Sequence, residues 1–158
     1  MIGLQYSIHR PSPYIDRHRD DLLPDWQGSV SSLMVILQTC PVPLDEITPA
    51  TELQKRRLRR RSLTFLKAIA GCLQKAGYGA EGFDPRTGKP FYSRSGSLTL
   101  DDVAVVQAVL GYPLVNQGGC HLIQHPVWGC EVFPSVLVSD APPEVLSAIV
   151  QAHFLQNS

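Results

Sequence analysis

Apolar and polar residues alternate from the start of the chain. Ile2, Leu4, Tyr6 and Ile8 are interleaved with Gly3, Gln5 and Ser7, the period-two pattern of a strand with one buried face. At SSLMVILQTC, residues 31–40, the apolar run is instead continuous and bounded by Ser and Pro, which predicts a central strand covered on both faces. The intervening residues 10–28 are rich in Pro, Asp and Arg with scattered Tyr14, Leu22, Leu23 and Trp26. They predict a long loop or short helical turns docked on the body as a lid or a cover.

From Thr48 the period lengthens. Thr48 supplies a cap and Pro49 a first-turn proline, and Leu58, Phe65, Leu66, Ile69, Leu73 and Ala76 recur at three- and four-residue spacings until Gly77 and Gly79. These features predict one long helix with a single apolar stripe. GFDPRTGKPFYS, residues 82–93, carries Asp-Pro and Thr-Gly turn signals between aromatic flanks and predicts a hairpin or tight loop, with the hairpin favoured. Thr99 and Asp102 resemble a capping box ahead of Val103, Val106, Val109 and Leu110, a short helix closed by Gly111 and Pro113. HLIQH and VFPSVLVS predict strands on either side of a PVWG turn, and Asp140 with Pro142 and Pro143 opens a last helix to about His153. With no internal repeat, the sum is an α+β fold over residues 1–158, a single domain with a mixed or antiparallel sheet covered by helices.

Bulk properties narrow the function classes. A chain of 158 residues can bury roughly 70% of its unfolded surface, enough for a core without staples. Its 14 basic and 14 acidic residues cancel, so the whole molecule has no strong field for polyanions or an anionic membrane, and any nucleic-acid role needs a local patch. The weakly polar stretch from Val103 to Val115 is interrupted and shorter than the ~20 residues of a membrane helix. The N-terminus lacks the pattern of a signal peptide, so a cytoplasmic location is expected. Cys40, Cys72, Cys120 and Cys130 are then expected to be reduced, and none forms a CxxC pair.

The local patch exists at KRRLRRRSLTFLK, residues 55–67. Its cations are expected to circle the helix, and no exposed aromatics are interleaved to stack bases, so a solvated or partner-docking face that includes Arg56 and Arg60 is expected ahead of nucleic acid. Within it, Arg60-Arg61-Ser62 resembles a stretch of flavin nitroreductases in which basic side chains meet the flavin phosphate, which keeps a flavin-dependent oxidoreductase as the second reading. There is no G-x-S-x-G, H-E-x-x-H or Gly-rich phosphate loop, and no catalytic residue is nominated. Asp101 and Asp102 are read as caps at a helix start.

The other concentration of chemistry is GGCHLIQHPVWGC, residues 118–130. Its C-H-x3-H-x4-C spacing matches no common zinc pattern, and on a strand His121 and Cys120 point to opposite faces. No metal site is therefore predicted, and Leu122, Ile123, Val127 and Trp128 read as core. The pair Gly118-Gly119 allows a backbone to approach something closely, and a thiol at Cys120 beside it is reachable. A soft thiolate suits a transition metal whose equatorial positions are filled by a macrocycle.

LGYPLVNQGGCHLIQHPVWGCEVFPSVLVSDAP, with DPRTG and LDD upstream, resembles the cobalamin-trafficking family named for methylmalonic aciduria and homocystinuria type D. The clearest part covers about residues 80–143. The resemblance implies a modified nitroreductase-like α+β fold that has lost flavin use, with no enzymatic activity and no tightly bound cofactor. It implies an adaptor that docks on a cobalamin-processing chaperone and directs cobalamin toward the B12-dependent enzymes, with His125, Trp128, Arg56 and Arg60 as partner-facing residues. The loop Gly118, Gly119 and Cys120 is then the cobalamin-facing segment. Animal members carry two adjacent cysteines here, and the first, the one associated with cobalt, aligns with Gly119; for Cys120 to take over a thiolate role the loop would have to shift by one residue, because a strand reverses side-chain direction at each step.

Overall fold

The structure is a computed structural model and describes residues 3–157; Ile2, the first residue of the predicted N-terminal strand, lies outside them. Four antiparallel strands form the central sheet: β1 (Leu4–His9), β2 (Ser32–Thr39), β3 (Ala80–Gly82) and β6 (Val132–Ser139), in the order β1-β2-β6-β3. Every residue of β2 except Thr39 is buried, as its unbroken apolar run requires. Leu33, Val35 and Leu37 enter one core with Val136 and Val138 of β6, whereas Met34 and Ile36 enter the other with Leu137. The sheet is therefore the middle of three layers.

One outer layer is α3 (Pro49–Lys75) with α5 (Pro143–Gln156). Thr48 and Thr51 form a reciprocal capping box: the Thr51 N–H donates to Thr48 Oγ1 at 3.1 Å and the Thr48 N–H to Thr51 Oγ1 at 2.9 Å. Leu58, Ser62, Leu66, Ile69 and Leu73 form the buried seam of α3. Phe65 is only partly buried, because it turns toward Phe154 of α5, and Ala76 is exposed where the helix ends. The polar member of the seam has a partner across the layer: Gln38 Nε2 donates to Ser62 Oγ at 2.7 Å and to the Leu58 carbonyl at 3.0 Å. This pair fixes the register of helix on sheet, since a slipped helix would leave a buried amide without acceptors.

The opposite layer contains α1 (Pro13–Arg17), α2 (Arg19–Leu22), α4 (Asp102–Leu110) and a two-stranded hairpin, β4 (Leu114–Gln117) with β5 (Cys120–Ile123). Residues 10–28 form a fixed cover: Ile15, Leu22 and Leu23 are fully buried, the Leu98 N–H donates to the Asp21 carbonyl at 3.1 Å, and Trp26 Nε1 donates to Ser93 Oγ at 3.2 Å.

Three local expectations are corrected. Residues 82–93 form a tight loop, not a hairpin with two strands: one bridge between Phe83 and Pro90 closes it, with the Phe91 N–H donating to the Gly82 carbonyl at 3.0 Å and the Asp84 N–H to the Lys89 carbonyl at 2.9 Å, and the ladder goes no further because the Lys89 N–H turns back to Thr87 Oγ1. Within it Gly88 has φ +70°, and a Cβ there would lie 2.4 Å from the Leu100 carbonyl oxygen, so the DPRTG turn admits only glycine. Asp101, not Thr99, caps α4, accepting from the Ala104 N–H at 3.1 Å, while Asp102 is buried in the first turn. Asp140 does not cap α5; the β3–β6 register sets it beside Gly79, whose N–H it accepts at 2.8 Å. Among the described residues, no helix is long and apolar enough to cross a membrane.

Candidate functional site

Gly118 (φ +57°) and Gly119 (φ +81°) are the two turn residues between β4 and β5. A two-residue turn with both residues left-handed matches the twist of the strands it joins, and glycine adopts that backbone without strain. A Cβ at Gly119 would meet nothing within 4 Å, and one at Gly118 would meet only the Asp45 Cβ at 4.0 Å. The glycines therefore serve the turn and not a close approach of backbones. LVNQ, which carried no predicted strand, pairs with CHLI because this turn brings them together.

The pairing determines which way the thiol faces. Leu114 stands opposite Ile123, Val115 opposite Leu122, Asn116 opposite His121 and Gln117 opposite Cys120. Since side chains alternate, Leu114, Asn116, His121 and Ile123 share one face, and Ile123 buries it against the core. Cys120 shares the other face with Gln117 and Leu122, and both of these wall a cleft of about 460 Å³. Trp128, Cys130, Asp45 and Glu131 are also among its walls. Cys120 is exposed at the hairpin end of this wall, and Cys130 is half-buried within it. Gly129, whose left-handed turn (φ +65°) redirects the chain, is the sequence signal that sets Cys130 there.

The HPVWG turn forms the floor of the site, and His125 holds it. The His125 N–H donates to the Gly129 carbonyl at 2.8 Å, and the His125 carbonyl accepts the Gly129 N–H at 3.0 Å. His125 Nδ1 accepts the Val127 and Trp128 N–H groups, each at 3.0 Å, so Nδ1 is unprotonated and Nε2 donates to Gln5 Oε1 at 2.9 Å. The imidazole stacks on Trp128 with centroids 4.5 Å apart and meets the edge of Tyr112. Burial lowers its pKa, in keeping with a neutral ring committed at both nitrogens. His125 thus shapes the loop from inside, with Trp128 against the cleft; Val127, expected in the core, is instead largely exposed at the cleft's rim, because the turn carries it outward. Trp128 also explains Gly3, where a Cβ would lie 2.9 Å from its Cζ2 atom.

The remaining predicted residues are not gathered here. Arg56 and Arg60 lie on opposite sides of the buried seam of α3: Arg56 with Lys55 and Arg59 beside Phe133, Arg60 with Arg57 and Arg61 beside Phe154. The cations thus form two stripes, not a circle, because the seam through Leu58 and Ser62 divides them. Ser62 of the Arg60-Arg61-Ser62 stretch faces Gln38 in the core. His121 and Cys120 are on opposite hairpin faces, and among the described residues no three His, Cys, Asp or Glu side chains converge as metal ligands would.

The sequence profile of the family described as "Methylmalonic aciduria and homocystinuria type D protein" matches residues 13–152, which includes the hairpin, the HPVWG turn and the cover. The chain belongs to this family. Similar curated members of the type D family are the "Cobalamin trafficking protein CblD" of Homo sapiens, 22% identical over 125 residues, and that of Rattus norvegicus, 23% identical over the same length. The protein of that name from Gallus gallus is 20% identical. Each alignment covers 79% of this chain and 42% of the relative, so the chain spans about two fifths of the curated type D proteins it matches.

Proposed function

We propose that this protein is a non-enzymatic cobalamin-trafficking adaptor that docks on a cobalamin-processing chaperone and directs the cofactor toward B12-dependent enzymes. The observation that carries the reading is Cys120: an exposed thiol beside a tight two-residue turn, facing the same side as the cleft walls, in a chain of the type D family. Cobalt in a corrin has its four equatorial positions filled and takes further ligands axially, and a soft thiolate is a suitable axial donor. A corrin ring with its side amides is far larger than the cleft of about 460 Å³. The geometry therefore favours presenting the thiol to cobalamin held by a partner over enclosing cobalamin alone. The two helical layers around an antiparallel sheet accord with a modified nitroreductase-like fold. The buried Ser62 speaks against Arg60-Arg61-Ser62 as a flavin anchor.

Optical titration of aquocobalamin with the protein, with and without a cobalamin-processing chaperone, tests this. We expect a partner-dependent shift of the corrin bands that Cys120→Ser abolishes. An identical shift from wild type and variant removes the thiolate from the mechanism; no shift and no complex with the chaperone would remove the adaptor reading as a whole.

A further inference from the structure

The stripe of α3 that contains Arg57, Arg60 and Arg61 lies along a groove of about 570 Å³ between α3 and α5, on the layer opposite the hairpin. Residues 57, 60, 61 and 64 follow the spacing of one helical face, so three guanidinium groups project within little more than one turn. All three are exposed, and among the described residues none has a carboxylate at ion-pair distance. The other stripe differs: Lys55 pairs with Glu52 at 3.2 Å, and Arg59 pairs with both carboxylate oxygens of Asp84. On that side two of the three helix cations are paired within the chain and Arg56 is not, whereas on the groove side all three stand unpaired among the described residues, with no acid among the groove's lining residues.

The floor of this groove is apolar and aromatic. Phe65 and Phe154 have ring centroids 5.2 Å apart, Phe154 stacks on Tyr6 at the same distance, and Leu4 and Ala68 fill the ends. Guanidinium groups above a ring-lined floor match a ligand with a concentrated negative charge joined to a flat hydrophobic body. We propose that the groove binds a phosphate monoester with an aromatic substituent, the phosphate held by Arg57, Arg60 and Arg61 and the ring lying on Phe65 and Phe154. The charge spans one turn instead of running the length of the helix, which favours a compact dianion over an extended polyanion. The site lies on the far layer from Cys120 and uses neither the cleft nor a corrin, so it stands independently of the trafficking reading.

Calorimetric titration of the whole protein with 1-naphthyl phosphate, and separately with inorganic phosphate, tests both halves of the site. We expect naphthyl phosphate to bind at least about tenfold more tightly than inorganic phosphate, the excess coming from ring burial. Arg57→Gln combined with Arg60→Gln should weaken it at least about tenfold, Phe65→Leu should narrow its advantage over inorganic phosphate, and Lys75→Gln on the same helix should leave both affinities unchanged. Circular dichroism on each variant separates lost binding from lost folding. Equal affinities for the two probes, or indifference to the double arginine variant in a folded protein, overturns the proposal. So does a single-stranded oligonucleotide that binds more tightly than naphthyl phosphate with a steep salt dependence, which would make the stripe part of a polyanion surface.

Discussion

Asp102 shows how a residue read as a surface cap has a different role once its neighbours are known. It is about nine-tenths buried, and its Oδ1 has no hydrogen-bond partner. Burial raises its pKa well above the ordinary carboxylate range, and the charges of Asp101 and Asp84 raise it further. A carboxyl whose folded-state pKa exceeds its unfolded value favours folding below the unfolded pKa, and that contribution is lost as pH rises through the folded value. Asp102→Asn is therefore expected to leave stability little changed in acid and to raise it relative to wild type as pH increases. Urea midpoints for both proteins, measured from pH 4 upward, check this. A wild-type-minus-variant difference that does not change with pH would show that Asp102 is not the titrating group. The adjacent Asp101 has the same side chain and caps the helix in solvent, so identity and spacing alone did not separate the two.

At the scale of elements, the joint between α3 and the DPRTG turn is a charge pair. Asp84 accepts from Arg59 Nε at 2.9 Å and from Arg59 Nη2, and also from the Arg86 N–H at 2.9 Å, so the acid holds its own turn and the helix together. The Arg59 hydrogen bonds lead in lowering its pKa, against the opposing effect of burial. A depressed carboxylate pKa gives stability that is present above the unfolded value and lost as pH falls through the folded one. Since the arginine is about a third exposed, solvent screens the pair, and a double-mutant cycle of Arg59→Gln with Asp84→Asn should give a coupling of roughly 1 kcal/mol at neutral pH. The coupling should vanish in acid; one that persists at pH 2 would mean that shape and not charge joins the elements. These elements also show what was legible beforehand. The long helix, the central strand and the last helix carry their periods and caps in consecutive residues, so they could be read directly. The partnership of Gln38 with Ser62, the pairing of LVNQ with CHLI and the common facing of Cys120 with Gln117 depend on register, which appears only once strands and helix are set against one another. Cys120 could be picked out as reachable, but the cleft beside it is built from three separate segments, and its second thiol, Cys130, could not be placed there from spacing alone.

The molecule as a whole divides into a stiff centre and a separable edge. Strand β2 is bonded on both sides, by β1 and β6, and covered on both faces, so its amides open only when the fold does. The β4–β5 hairpin is a separate two-stranded sheet with four residues in each strand. Ile123 is its only fully buried residue, and an isolated two-stranded hairpin is marginal in water. The HPVWG turn ties one end of it to β1 through His125 and Gln5, while the Gly118-Gly119 end has no such tie among the described residues beyond the approach of Asp45. Native-state hydrogen exchange should accordingly show the slowest amides in β2 and β6, with the bonded amides of the hairpin exchanging through local opening at a fraction of the global free energy. Protection should also fall from Ile123 toward Cys120. Such a gradient would let the thiol end adjust to a partner while the sheet keeps the cleft walls in place, linking the adaptor reading to the architecture. If the hairpin amides instead exchange only on global unfolding, with the same denaturant dependence as β2, the hairpin is part of the stiff centre, and Cys120 is presented in a single fixed position.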